Sequence, residues 1–153
     1  MTEDTPTYAI GRERRVTRWH ERLMGLAAYI SGWSKDPSTR VGAVIVNPDT
    51  HVIIGVGYNG LPRGIEDDHR LNDRAERLAI VVHAEVNALL NANGSVYGAT
   101  LYTTHQPCSQ CAAQIINSGI GKVIYRQDED FAQRWGHAGV SLLKEAGIEV
   151  HSV

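Results

Sequence analysis

Two runs rich in valine and isoleucine constrain the fold of this chain most. They are VGAVIV (41–46) and HVIIGVG (51–57), and the turn sequence NPDT (47–50) joins them. Two β-branched runs separated by a short polar turn predict a β-hairpin. The strands expected further along the chain come singly between helices, so the hairpin predicts a mixed sheet.

Helical patterns alternate with single apolar runs along the rest of the chain. Before the hairpin, apolar residues recur every three or four positions from Arg15 to Ser31, which predicts an amphipathic helix. After it, a polar stretch through Glu76 reads as loop or short helix. We then expect helices over 83–92, 108–119 and roughly 134–146, and strands over 99–104, 122–126 and 148–153. Strands that do not alternate with polar residues are covered on both faces. The prediction is an α/β fold, a three-layer α/β/α sandwich with a mixed, roughly five-stranded sheet.

Length and charge limit the classes of protein to consider. A chain of 153 residues suits one domain, which we place at 15–153 after a flexible N-terminal arm at 1–14. The net charge of −2 provides no global field for nucleic acid or an anionic membrane. No apolar run approaches a membrane span, and residues 1–20 lack the apolar core of a signal peptide. We therefore expect a cytoplasmic protein without nucleic-acid or membrane partners.

The only two cysteines, Cys108 and Cys111, lie in the motif PCSQC. A disulfide, a redox pair and a metal site can all have C-x-x-C spacing. A reducing compartment disfavours the disulfide. Taken alone, the motif leaves a thioredoxin-like redox pair and a metal site about equally open, ahead of an inert buried pair.

A second motif, HAE at 83–85, favours the metal site. His83 and Cys108 each open a predicted helix after an apolar stretch, so the helix starts can bring His83, Cys108 and Cys111 together. One imidazole and two thiolates suit zinc, and three protein ligands leave the fourth position for water, as in catalytic sites. Glu85 is poorly placed as a ligand but can exchange protons with that water. We predict one catalytic Zn²⁺ per chain.

The combined pattern H-x-E…P-C-x-x-C is the signature of zinc-dependent nucleobase deaminases. In that chemistry water attacks the amine-bearing ring carbon, and Glu85 protonates the ring nitrogen and then the departing ammonia. Two alternatives from other classes are a thiol redox protein and an inactive, zinc-stabilised oligomerisation module. Metal content separates the first from a deaminase, and the substitution Glu85→Ala separates the second.

Longer segments carry a closer resemblance. They are SKDPSTRVGAVIVNPD, GVGYNGLPRG, HAEVNALL, ATLYTTHQPCSQCAAQIINSGIGKVIY and LLKEAGIEV. In this order they resemble successive segments of the deoxycytidylate (dCMP) deaminase family, in register from about Trp19 to Val153. The resemblance implies a cytidine deaminase-like fold and hydrolysis of dCMP to dUMP and ammonia, which feeds dTMP synthesis. The zinc motifs are shared across the superfamily, so another base, a nucleoside or a 5-substituted dCMP is the alternative substrate.

The same resemblance implies substrate contacts and partners. Asn59 of GYNG would bond the substrate sugar, Ser34 and Lys35 of SKDP would lie near the sugar-phosphate end, and Ala84 would join the substrate site. From the residues alone, a turn residue is the lesser alternative for Asn59, whereas a solvated surface lysine is as good a reading of Lys35. Family members are often hexamers regulated by dCTP and dTTP. This chain departs from the family in having only Phe131 where a tyrosine often lies near the phosphate.

Overall fold

A computed structural model of the chain describes the backbone of residues 7–153 and the side chains from residue 16 onward. Within these residues the helices are α1 (Thr7–Ser31), α2 (Arg74–Ile80), α3 (Ala84–Leu90), α4 (Ser109–Ser118), α5 (Glu129–Trp135) and α6 (Ala138–Glu145). The strands are β1 (Gly42–Val46), β2 (Ile53–Tyr58), β3 (Thr100–Thr103), β4 (Lys122–Tyr125) and β5 (Glu149–Ser152), and His69–Leu71 forms a short 3₁₀ helix. None of the described helices is long and apolar enough to cross a membrane.

The five strands form one mixed sheet in the order β2-β1-β3-β4-β5. Strands β1 and β2 pair antiparallel, which confirms the predicted hairpin. Strand β1 also pairs antiparallel with β3, whereas β3, β4 and β5 run parallel. The parallel strands are joined by crossover helices, which cover the faces of the sheet.

Helices cover both faces of this sheet, and successive residues of β1 show how. Ala43 and Ile45 face a core formed with α3, α4 and α6, whereas Val44 and Val46 face α1. Every residue of β1 is buried, because side chains that alternate between the faces meet a helix layer on each side. The predicted three-layer α/β/α sandwich is confirmed.

Two glycines in the hairpin allow the helices to approach the strands closely. A Cβ atom on Gly42 would lie 2.0 Å from the Ala27 carbonyl oxygen of α1. A Cβ on Gly57 would lie 2.3 Å from the Ala88 nitrogen of α3. Both contacts are with backbone atoms that cannot rotate away, so the absence of a side chain sets the distance between layers.

Two stretches differ from the sequence expectation. Helix α1 begins at Thr7 rather than Arg15, so residues 7–14 of the predicted arm are helical; residues 1–6 lie outside the described residues, and the division into arm and domain stays a prediction. The single helix expected over 134–146 is wrong, because α5 and α6 are separate helices. Gly136 ends α5 with φ 71° and ψ −165°, a conformation that essentially only glycine adopts.

Candidate active site

The candidate metal donors lie where two neighbouring helices begin. His83 is the N-cap of α3 and Cys108 is the N-cap of α4, and both have extended backbone conformations. The Cys108 sulfur accepts a bond from the Cys111 backbone N–H at 3.4 Å and so caps its own helix. The His83 ring makes no capping bond within α3 and points instead toward α4.

The predicted ligands come together in one cluster. His83 Nδ1 lies 3.2 Å from Cys111 Sγ and 3.5 Å from Cys108 Sγ, and the three donor atoms lie within 4.8 Å of one another. Both cysteines are free thiols rather than a disulfide. One imidazole nitrogen and two sulfurs facing a common point fit Zn²⁺ and leave a coordination position for water. A redox pair would not require the imidazole on both sulfurs.

Protons are distributed unevenly over this cluster. The hydrogen bond from the Cys111 thiol, with a second bond from His83, lowers the pKa of Cys108 to about 4. The same bond, together with burial, raises the pKa of Cys111. The bond to Cys108 also raises the pKa of His83. These shifts favour the thiolate form of Cys108, and a metal ion bound here would displace the proton of Cys111.

Glu85 lies in the first turn of α3, two positions after His83, and its side chain is buried. Burial raises the pKa of this carboxyl group, since the charged form loses hydration. The Thr103 hydroxyl, at the end of β3, donates to Glu85 Oε1 at 3.5 Å. A buried acid with a raised pKa beside a metal cluster has the properties of a proton carrier.

Asn59 and Ser34 meet in one buried loop junction. Asn59 Oδ1 accepts from the Val41 backbone N–H at 2.9 Å, and its Nδ2 donates to the Thr39 carbonyl at 2.8 Å. The Ser34 hydroxyl donates to the Asn59 carbonyl at 2.8 Å. The structure thus gives both side chains a role in holding the loops together.

The other two predicted substrate residues lie in different surroundings. Lys35 is exposed and forms an ion pair with Asp67. Ala84 is fully buried in the first turn of α3, between His83 and Glu85. Its backbone N–H is among the first four of the helix, which have no acceptor within the helix itself.

Two connections around the site were missed by sequence reasoning. Gly60 and Val82 exchange backbone hydrogen bonds of 3.1 and 2.9 Å, which joins the GYNG turn to the residue before His83. Arg77 of α2 forms a buried ion pair with Asp36 of the SKDP loop, with 3.2 Å between Nε and Oδ2. An arginine in a short polar stretch gives no local signal of burial, since its partner lies far away in the sequence.

A polar cavity of about 450 Å³ lies at the carboxyl ends of β4 and β5. It is near the candidate metal ligands, but His83, Cys108 and Cys111 are not part of its described lining. Gln106, which precedes the PCSQC motif, is part of its wall, and so are the carboxylates of Asp128 and Glu129. Among the described residues that line it there is no lysine or arginine. Phe131 is not part of the described lining, and its ring packs edge-on against His105 with 5.1 Å between the ring centroids. The described lining of this cavity therefore offers neither a lysine nor an arginine to a phosphate group.

One histidine and two cysteines at helix starts beside a buried glutamate, on this fold, are the pattern of the zinc-dependent hydrolytic deaminases. Residues 17–127 match the family model described as the cytidine and deoxycytidylate deaminase zinc-binding region. The chain belongs to this family and is a hydrolytic enzyme with a zinc cofactor.

The relatives of this chain include an uncharacterized deaminase and two deoxycytidylate deaminases. The chain is 40% identical over 139 residues to an uncharacterized deaminase in the luxG 3′ region of Aliivibrio fischeri, covering 88% of this chain and 93% of that protein. It is 39% identical over 137 residues to the deoxycytidylate deaminase of Mus musculus, covering 85% and 76%. The dCMP deaminase of cyanophage S-TIM5, solved with dCMP and dUMP, superposes with a TM-score of 0.71 at 31% identity, covering 87% and 95%.

Proposed function

We propose that this protein hydrolyses dCMP to dUMP and ammonia and so supplies the precursor of dTMP. The observation that carries the proposal is the cluster of His83, Cys108 and Cys111 beside buried Glu85. Its family membership supports the reaction type. The named dCMP deaminases among its relatives, one of them solved with substrate and product, support the choice of ring and phosphate.

The chain's own residues carry the proton transfers. His83, Cys108 and Cys111 would hold Zn²⁺, which when bound would lower the pKa of a water molecule and so activate it. Glu85 would accept one proton from that water and deliver it to the ring nitrogen. It would then accept the second proton, from the hydroxyl group now on the ring carbon, and deliver it to the amino group, which leaves as ammonia. Its raised pKa brings the carboxyl group closer to neutral pH, where a group can both accept and donate. The Thr103 hydroxyl, which donates to Glu85 Oε1, would restrain this carboxylate.

Four residues are proposed to bind the rest of the substrate. The Asn59 amide retains one N–H and one lone pair for the sugar after its two backbone bonds. The Ser34 hydroxyl, bonded to the Asn59 carbonyl, would hold Asn59 in position. Lys35 would leave its ion pair with Asp67 and bind the substrate phosphate. The Ala84 backbone N–H, free at the start of α3, would bind the pyrimidine ring. Arg40, Arg63 and Arg126 are the other cationic side chains proposed as partners of the phosphate.

The test is steady-state deamination by the zinc-loaded protein on dCMP, CMP, deoxycytidine, cytosine and guanine. We expect the highest kcat/KM on dCMP, and a loss of at least about 100-fold in Glu85→Ala with zinc still bound. A faster reaction on another substrate would refute dCMP while leaving the zinc chemistry in place. No turnover of any substrate by the metal-loaded protein, with or without dCTP, would refute the proposed function.

We also propose that the protein is a homo-hexamer in the cytoplasm, with dCTP and dTTP as effectors. Exposed aromatic rings support association: Tyr29, Trp33 and Tyr58 form a row with ring centroids 5.9 and 6.0 Å apart at the surface near GYNG. Two free thiols are typical of a protein in a reducing compartment, which supports the cytoplasm. Sedimentation velocity measures the number of subunits, and its change when dCTP or dTTP is added tests the effectors. A monomer under all conditions would contradict the hexamer.

A further inference from the structure

Two side-chain hydrogen bonds join Gln106, the residue before the PCSQC motif, to the turn between α5 and α6. We use "metal loop" for residues 106–108, which end at the candidate ligand Cys108. Gln106 is buried and uses both ends of its side-chain amide on the turn. Its Nε2 donates to the Gly136 carbonyl at 2.9 Å, and its Oε1 lies 3.1 Å from His137 Nδ1.

These two bonds fix the orientation of the groups that make them. The Gly136 carbonyl accepts only, so the amide nitrogen of Gln106 must face it and the amide oxygen must face His137. His137 therefore donates from Nδ1. It is the N-cap of α6, yet its side chain makes no capping bond to that helix. The histidine ring is directed to the metal loop rather than to its own helix.

Helix α6 also lies directly against the backbone of the metal loop. Gly139, in its first turn, is buried, and a Cβ atom there would lie 2.0 Å from the Pro107 carbonyl oxygen. The same atom would lie 2.7 Å from the Cys108 carbonyl carbon. Any larger residue would have to displace either α6 or the segment that carries the ligand.

We propose that Gln106 is a positioning residue of the metal site and that, together with Gly139, it holds Cys108 in its place facing His83. The reason lies in how few constraints Cys108 has from its own helix. As the N-cap it bonds to Cys111 and Ala112 of α4, and its sulfur also lies 3.5 Å from His83 Nδ1 of α3. Contacts from the 136–139 segment supply the constraint on the other side. The proposal depends on the metal site of the proposed function but not on dCMP as the substrate.

Gln106→Leu removes both bonds at similar side-chain volume, and Gln133→Leu is the matched control. Gln133 lines the same cavity but makes no contact with the metal loop among those described. We expect Gln106→Leu to lose zinc to a competing chelator about 10-fold faster than the wild type. With Co²⁺ in place of zinc, its thiolate-to-metal absorption should change. Its kcat should fall while KM for dCMP is unchanged, and Gln133→Leu should match the wild type in every measurement.

A second pair of variants keeps the test decisive if Gln106→Leu folds poorly. His137→Leu changes an exposed residue and removes only one of the two bonds, so we expect a smaller increase in the zinc dissociation rate. The double variant should lose zinc no faster than Gln106→Leu, because both changes act through one contact.

One result would overturn the proposal: variants that melt at lower temperature yet hold zinc and Co²⁺ as the wild type does. Gln106 would then be a structural contact only. The metal measurements do not require turnover, so a protein inactive on dCMP would leave this test intact.

Discussion

Replacing Arg77 by methionine tests how the loop that carries Ser34 and Lys35 is held in place. The Arg77 side chain is 4% exposed and sits in α2. Its Nη1 donates to the Leu71 carbonyl at 2.7 Å and its Nη2 donates to the Ser38 hydroxyl at 3.2 Å, while Nε faces Asp36 at 3.2 Å. One side chain thus connects α2, the 3₁₀ helix and the SKDP loop.

The expected cost follows from what the substitution leaves behind. Removing one partner of a buried ion pair costs about 3–5 kcal/mol, because the other charge stays buried. Here Asp36 keeps two bonds, from the backbone N–H groups of Ser38 and Thr39 at 2.8 and 3.0 Å. These bonds offset part of the loss, so we expect the lower end, about 3 kcal/mol.

Urea unfolding followed by far-UV circular dichroism measures this cost in Arg77→Met, Asp36→Asn and the double variant. The double variant should be more stable than the sum of the single losses by about 1–2 kcal/mol, since each single change leaves a partner unpaired. KM for dCMP should rise in Arg77→Met as the SKDP loop loosens. A loss of free energy below about 1 kcal/mol, or strict additivity, would show that the pair does not hold the loop.

Three further predictions concern the metal, the layer spacing and pH. A chelator should remove one zinc ion per chain, measured by atomic emission, and lower the melting temperature. Adding zinc back should restore both values. A melting temperature that does not depend on zinc would contradict the site. Gly57→Ala should lose about 2 kcal/mol in urea unfolding, because its Cβ would meet the Ala88 nitrogen at 2.3 Å, whereas Gly60→Ala, with open space around it, should not. Burial lowers the pKa of His20, so the folded state binds its proton less readily than the unfolded state, and stability falls as pH drops below about 6.5. His20→Gln should flatten that decline in unfolding measured against pH, and an unchanged slope would exclude this group as its cause.

Local patterns predicted most of the fold. The β-branched runs around NPDT can bury both faces only within a sheet, and the structure forms the hairpin there. The break between α5 and α6 was missed because apolar residues continue through it. Gly136 was the available signal, since an isolated glycine inside a helical pattern often marks its end.

In the candidate site, the sequence predicts the chemical groups but not the residues that support them. His83, Cys108, Cys111 and Glu85 could be predicted because each lies at a helix start that short motifs reveal. The supports could not be predicted. Gln106 meets His137 thirty-one positions later, and Arg77 meets Asp36 only through the folding of a polar stretch. Such pairs depend on tertiary packing and have no periodicity for a sequence to show.

His83 and Cys108 are candidate zinc ligands and also the N-caps of α3 and α4. Zinc bound there would therefore link the zinc supply to the amount of folded protein by mass action. Once free zinc exceeds its dissociation constant, each tenfold rise adds about 1.4 kcal/mol to the stability of the folded state. The zinc concentration around this enzyme therefore sets how many copies survive unfolding and proteolysis, as well as how many are active.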